Sequence, residues 1–281
     1  MVGVLKIACT PIGNLGDITR RVIDELKNCS IILVENIHHS QKLFCAIGIS
    51  LKYKKIISCN KHNEKSRSSI VLKLLESNNI ILISNAGAPT ISDPGNKIVQ
   101  IVIEHGFKIE ILPGASAVTA ALMGAGLNIN RYIFLGFLPR KGHARKCLVK
   151  NASKLGFALV IFESALRVKK TIDDLSEWCG SKKVVIAREI TKKYESFHRG
   201  VLGIKLNPKF IVKGEVVIII ECNNEKKINK EISMNDIYEK ALDLITLKKQ
   251  KSKEIAKNLK LNYGISSKEA YKIVIDIKNN K

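Results

Sequence analysis

The chain has 281 residues, 46% hydrophobic and 26% charged, a globular balance that excludes an extended disordered chain. No run approaches the roughly 20 uninterrupted apolar residues a bilayer span needs, and the opening Met1-Val2-Gly3-Val4-Leu5-Lys6 lacks the basic-then-apolar pattern of a secretory leader, so a cytoplasmic protein is expected. Forty-seven Lys and Arg against 25 Asp and Glu leave a formal +22, which suits a polyanionic partner, although lysines that merely solvate the surface give the same number.

In chain order, strand-like runs are expected at 5–9, 31–35, 55–58, 80–84 and 108–112, separated by amphipathic runs at 18–27, 40–47, 66–76 and 96–104. That alternation predicts a mainly parallel sheet with helices on its faces. Pro113-Gly114 punctuates the unit, and a helix is expected over 115–125. Further strands at 132–136, 158–162, 183–187 and 215–221, with helices at 145–155 and 166–178, predict a second α/β unit of more mixed strand order. The chain turns polar after Cys222 and then helical and lysine-rich, with Gly264-Ile265-Ser266 as a turn and helix start. The expected division is an N-terminal α/β domain over 1–113, a C-terminal α/β domain over 114–222 and a small helical basic tail over 229–281.

The cysteines (Cys9, Cys29, Cys45, Cys59, Cys147, Cys179 and Cys222) are scattered and form no C-x-x-C pair, so they suggest neither zinc nor a disulfide framework. His38, His39 and His62 show no ligand spacing either, and no metal is expected.

Ligands of open α/β sheets bind beyond the carboxyl ends of the strands. Four unusual segments fall there. Thr10-Pro11-Ile12-Gly13-Asn14-Leu15-Gly16 is neither a G-x-G-x-x-G nor a P-loop pattern, and taken alone it is as often a turn as a site. Ser84-Asn85-Ala86-Gly87-Ala88-Pro89-Thr90-Ile91-Ser92-Asp93-Pro94-Gly95 is a long loop of small residues that leaves room for a ligand against main-chain groups, with Asp93 read as a helix N-cap. Ser116 is a cap or a donor at a helix start. Phe162, ahead of Glu163, is an adenine-pocket wall or a core residue.

Together these segments resemble the tetrapyrrole methylase superfamily, and within it the branch acting on small-subunit ribosomal RNA. The resemblance is carried by Thr10 to Thr19, His62 to Glu64, Ser84 to Gly95, Leu112 to Ala117, Gly136 to Gly142, Arg188 to Lys192 and Lys213 to Glu215, in order, with Ile265 to Tyr271 in the tail. It implies a two-domain α/β methyltransferase, usually a homodimer, that holds S-adenosylmethionine between its domains and methylates the 2′-oxygen of a cytidine in the decoding region of 16S rRNA. By position, the donor would meet Pro11, Ile12, Gly13, Asn85, Gly87, Ala88, Pro89, Ser116, Ala117 and Phe162.

The attacking hydroxyl must lose a proton. Glu35, Glu163 and Glu189 are the acidic candidates and His38 a further one, with Lys192 and Arg188 available to a phosphate. Arg140, Lys141, Arg145 and Lys146 form a basic loop suited to RNA of the 16S molecule or the small ribosomal subunit, and Lys248, Lys249, Lys251 and Lys253 form a second patch. The chain departs from the branch at three places. Glu35-Asn36-Ile37-His38-His39 replaces E-D-T-R-H, Asn85 replaces an aspartate, and Ala165-Leu166 replaces P-H. These leave two alternatives open, a porphyrinoid methyltransferase of the same fold and an RNA-binding relative with impaired catalysis.

Overall fold

The computed structural model describes residues 2–204, 213–222, 234–246, 252–263 and 265–279. They fall into two compact units, 1–223 and 224–281.

The first unit opens with β1 (Val4–Ala8), α1 (Arg20–Asn28), β2 (Ile31–Val34), α2 (Ile37–Ala46), β3 (Lys55–Ser58), α3 (Glu64–Leu75), β4 (Ile80–Ile83), α4 (Asn96–Glu104) and β5 (Lys108–Leu112). The five strands pair in the order β3-β2-β4-β1-β5, every pair parallel. β2 (IILV) and β4 (IILI) are buried at every position, as strands covered by helices on both faces must be. Leu33, Leu82, Val71 and Ile98 pack on one side of the sheet, and Ile32, Ile81, Val22 and Phe44 on the other.

Side-chain caps set the helix starts. Thr19 accepts the Val22 amide at 3.2 Å to begin α1, and Asn36 accepts the His39 amide at 3.1 Å to begin α2. Asparagine and aspartate both perform this capping task, so the asparagine at this position leaves the start of α2 intact. Asp93 does not cap α4, contrary to the expectation. Gly95, at φ +118° where a side chain is strained, takes that place, and its amide and that of Lys97 donate to Glu64 Oε1 at 3.1 and 2.6 Å. The buried carboxylate of the His62-Asn63-Glu64 motif thus holds the end of the 84–95 loop. Glu64→Ala leaves two amides without their acceptor and is expected to lower the unfolding free energy by about 2 kcal/mol, measured by urea titration. A loss under about 0.5 kcal/mol would remove this role.

The unit continues with α5 (Ala117–Ala125), β6 (Tyr132–Phe137), α6 (His143–Lys154), β7 (Ala158–Ser164), α7 (Ala165–Cys179), β8 (Lys183–Arg188), β9 (Ser196–Val201) and β10 (Glu215–Ile220). Its sheet runs β6-β7-β10-β8-β9, parallel only between β6 and β7. This is the mixed order expected. Strand β9, absent from the sequence reading, is a half-buried edge strand of sequence SFHRGV that pairs with β8 alone. Its Phe197 ring lies so close to α5 that a Cβ on Gly124 would come within 2.3 Å of it.

In the second unit, α8 (Met234–Thr246), α9 (Ser252–Tyr263) and α10 (Ser267–Asn279) bury Ile237, Ala241, Leu244, Ile255, Leu259, Ile273 and Val274 among themselves. Ser266 and Glu269 each accept the other's amide, at 3.2 and 3.0 Å, in a capping box that starts α10. Lys253 is exposed, whereas Lys248, Lys249 and Lys251 lie outside the described residues. No helix among the described residues is long and apolar enough to cross a membrane.

Candidate active site

The order β3-β2-β4-β1-β5 places the turns after β1 and β4 side by side. They are locked by a two-way main-chain bridge, with the Thr10 amide donating to Gly87 at 2.9 Å and the Gly87 amide returning to Thr10 at 3.0 Å. Thr10 Oγ1 also donates to the Ser84 carbonyl at 3.3 Å. These turns and the one leading into α5 face the ends of β6, β7 and β10, and a cavity of about 470 Å³ lies between. That volume is in the range of small-molecule sites.

Ile12, Asn85, Gly87, Ala88, Ser116, Ala117 and Phe162, all expected near the donor, line the cavity, as do Glu35 and Glu163. Pro11, Gly13 and Pro89 do not. Gly13 instead packs on the Lys192 side chain, where a Cβ would come within 2.3 Å of Lys192 Cγ. Ile91, Ser92, Asp93, Phe137, Ile190 and the Gly214–Val217 stretch also line the cavity, beyond the residues expected from the sequence.

The lining offers both polar groups and flat aromatic surface to a ligand. Asn85 Oδ1 is buried at the cavity and has no hydrogen-bond partner, so it offers an acceptor that a ligand can satisfy. Ser116 begins α5 without a side-chain cap, leaving that helix's first amides open beside the cavity. Phe162 stands edge-on to Phe134 and Phe137, with centroids at 4.8 and 5.5 Å, and with Phe137 forms an aromatic wall. Backbone strain collects nearby. Thr90, Ser92, Glu189 and Thr191 all adopt positive φ, at 71°, 69°, 50° and 68°.

Glu35, Glu163, Glu189 and Lys192 differ in what they touch, while His38 is exposed on α2 and does not line the cavity. Glu35 accepts the Asn85 amide at 3.4 Å. Glu163 is buried, with one oxygen on its neighbour Ser164's amide (2.9 Å) and Arg167 (3.3 Å), and the other on Thr171 (2.7 Å) and facing Arg145 (3.8 Å). Burial alone would raise the Glu189 carboxyl, but the Glu215 amide and the Lys192 ammonium outweigh it and hold the group below its usual range. Lys192 is lowered by burial and raised further by Glu215 (2.8 Å) and Glu189 (3.1 Å), and so stays protonated. A depressed, ion-paired carboxyl and a protonated ammonium are poor proton acceptors. Glu189 and Lys192 therefore read as a clasp between the ends of β8 and β10.

One expectation for the basic loop is corrected. Arg145 is buried, with 4% of its surface exposed, and bonds Asp174 at 3.0 Å, Thr171 at 2.7 Å and the Pro139 carbonyl at 3.1 Å. It sits on the inward face of α6 with Val149 and Ala152, and cannot contact a phosphate. Arg140 and Lys141 are exposed, and Lys146 is partly exposed and paired with Glu177 at 2.7 Å. Of the departures from the related branch, Leu166 is 81% exposed and Asn36 is a cap; Asn85 lines the cavity.

A family model described as tetrapyrrole (corrin/porphyrin) methylases matches residues 4–205. A Halalkalibacterium halodurans protein named ribosomal RNA small subunit methyltransferase I is 34% identical over 276 residues, covering 96% of this chain and 94% of that relative. One of the same name from Buchnera aphidicola subsp. Schizaphis graminum is 39% identical over 252 residues, covering 87% and 85%. In fold, the solved methyltransferase CobJ is similar at a TM-score of 0.59 and 16% identity, covering 78% of this chain and 93% of that one. The chain belongs to the tetrapyrrole methylase family, and its sequence relatives there include proteins named ribosomal RNA small subunit methyltransferase I.

Proposed function

We propose that this chain transfers a methyl group from S-adenosylmethionine to the 2′-oxygen of a cytidine in the decoding region of 16S rRNA. The observation that carries the reading is the cavity between the two sheets, with short turns of small residues on one side and an aromatic wall on the other. The open start of α5 at Ser116 and Ala117 suits the donor's carboxylate, Asn85 Oδ1 an amino or hydroxyl group, and Phe137 with Phe162 the adenine ring. When bound, the donor supplies an electrophilic methyl on a sulfonium sulfur. The protein's largest contribution is alignment of the acceptor oxygen with that methyl, because in-line geometry is worth many orders of magnitude in rate.

The RNA acceptor is supported by the relatives' names and by a net charge of +22. Exposed Arg140 and Lys141 come three and four residues after Phe137, which lines the cavity, and they suit phosphates flanking a splayed nucleotide. The reading carries with it a cytoplasmic homodimer acting on 16S rRNA or the small subunit. Nucleoside mass spectrometry of 16S rRNA from cells with and without the gene is expected to differ at one 2′-O-methylcytidine. Binding of the purified protein to a decoding-region fragment is expected to weaken at least about 10-fold between roughly 50 and 200 mM salt. Unchanged rRNA would overturn the substrate, and a flat salt response the phosphate contacts.

A further inference from the structure

Four acidic side chains border the cavity: Glu35, Asp93, Glu163 and Glu215. Their surroundings separate them. Glu163 has both oxygens engaged by Arg167, Thr171 and its neighbour's amide, and Glu215 is ion-paired with Lys192 at 2.8 Å. Glu35 accepts an amide that fixes the Asn85 turn. Among the described residues Asp93 has no cation within ion-pair distance, and the nearby Ser84 hydroxyl lies 3.2 and 3.3 Å from the Ala86 and Gly87 carbonyls that accept from it. It lies between Ser92 at positive φ and buried Pro94-Gly95, whose glycine amide is tied to Glu64. Ser92 also reaches the opposite sheet, where a Cβ on Gly136 would lie 3.0 Å from its Oγ. Asp93 therefore stands where the two sheets meet, beside the mouth formed by β6.

We propose that Asp93 is the catalytic base, taking the proton of the acceptor ribose hydroxyl as the methyl group is transferred. This rests on the function proposed above. As the 2′-oxygen forms its bond to the methyl carbon, the carbon–sulfur bond breaks and its electron pair stays on sulfur, leaving a neutral thioether. The hydroxyl proton passes to the Asp93 carboxylate and from there to solvent. The charged groups facing Asp93 are Glu35 from the end of β2, Lys61 from the β3–α3 turn and Glu215 from β10. Burial first, and then the Glu35 charge, push its carboxyl from 3.8 up to about 6, with Lys61 and Ser84 opposing. A base so placed is stronger than an ordinary carboxylate and still ionised at neutral pH.

Asp93→Asn keeps the shape and removes the base. Its kcat is expected to fall by about 10² to 10⁴ at pH 8, with donor affinity, read by calorimetry, unchanged within about threefold. The unaltered enzyme is expected to gain activity as pH rises through about 6, and the variant to lose that limb. Glu35→Gln removes the like charge, so the limb should move to lower pH. A readout independent of turnover uses the ligand-free protein. Because the folded carboxyl is raised above its unfolded value, ionisation costs stability above about pH 6 and nothing below about pH 4. Asp93→Asn should therefore melt higher than the parent at pH 8 and converge with it at pH 4. Donor binding together with undiminished kcat in Asp93→Asn, or an acidic limb that persists in it, overturns this assignment alone. Absence of donor binding by the unaltered chain overturns the methyl-transfer reading and this inference with it.

Discussion

Glu163→Ala is expected to lower the unfolding free energy by about 3–5 kcal/mol, because it removes the acceptor at the centre of a buried charged network. Glu163 is 2% exposed and Arg145 4%. Arg145 faces Glu163 and bonds Asp174 and Thr171, while Arg167 pairs with Glu163 at 3.3 Å. The two arginines also donate to the Pro139 and Leu138 carbonyls at 3.1 and 3.2 Å, and so hold the start of the loop that carries Arg140 and Lys141. Without Glu163 the buried Arg145 keeps only one carboxylate, Asp174, and the loop loses its anchor. RNA affinity should fall with stability. Denaturant unfolding of Glu163→Ala beside Glu163→Gln checks this, since glutamine retains the Thr171 contact and should recover part of the loss. A Glu163→Ala protein with unchanged stability and no methyl transfer would instead return Glu163 to catalysis.

Ala88→Trp is expected to reduce methyl transfer at least about 100-fold while changing the unfolding free energy by less than about 1 kcal/mol. Ala88 lies on a half-buried loop lining the cavity, and an indole there would fill much of the roughly 470 Å³ otherwise open to a ligand. No strand pairing or helix cap involves Ala88, so the change tests the cavity apart from the fold. Turnover measured beside a urea titration separates the two effects. Full activity in this variant would place the donor elsewhere.

The parallel sheet is legible because β2 and β4 are unbroken apolar runs and amphipathic segments alternate with the strands, whereas the caps at Thr19 and Asn36 emerge only in the structure. The turns at 10–16, 84–95 and 113–117 stood out because small residues, Pro and Gly cluster where strands end. Strand β9 escaped because an edge strand with one partner tolerates Ser, His and Arg and shows no strong alternation. Arg145 was assigned to a phosphate by its basic neighbours, although its spacing from Val149 and Ala152 puts it on the inward helical face. Asp93 was read as a cap because it precedes Pro94 and a helix. The true partner, Glu64, lies 31 residues away on another helix, a relation no local pattern encodes. The far wall of the cavity, from Gly214 to Val217, is supplied by the last strand of the second sheet, so only tertiary structure brings it there.

Calorimetric titration of S-adenosylmethionine into the purified, full-length protein bears most directly on the claim that the hollow between the sheets receives the methyl donor. The expected result is saturable binding of one donor per chain, abolished in Ala88→Trp. No heat of binding by the unaltered protein, or equal binding by the tryptophan variant, would contradict it.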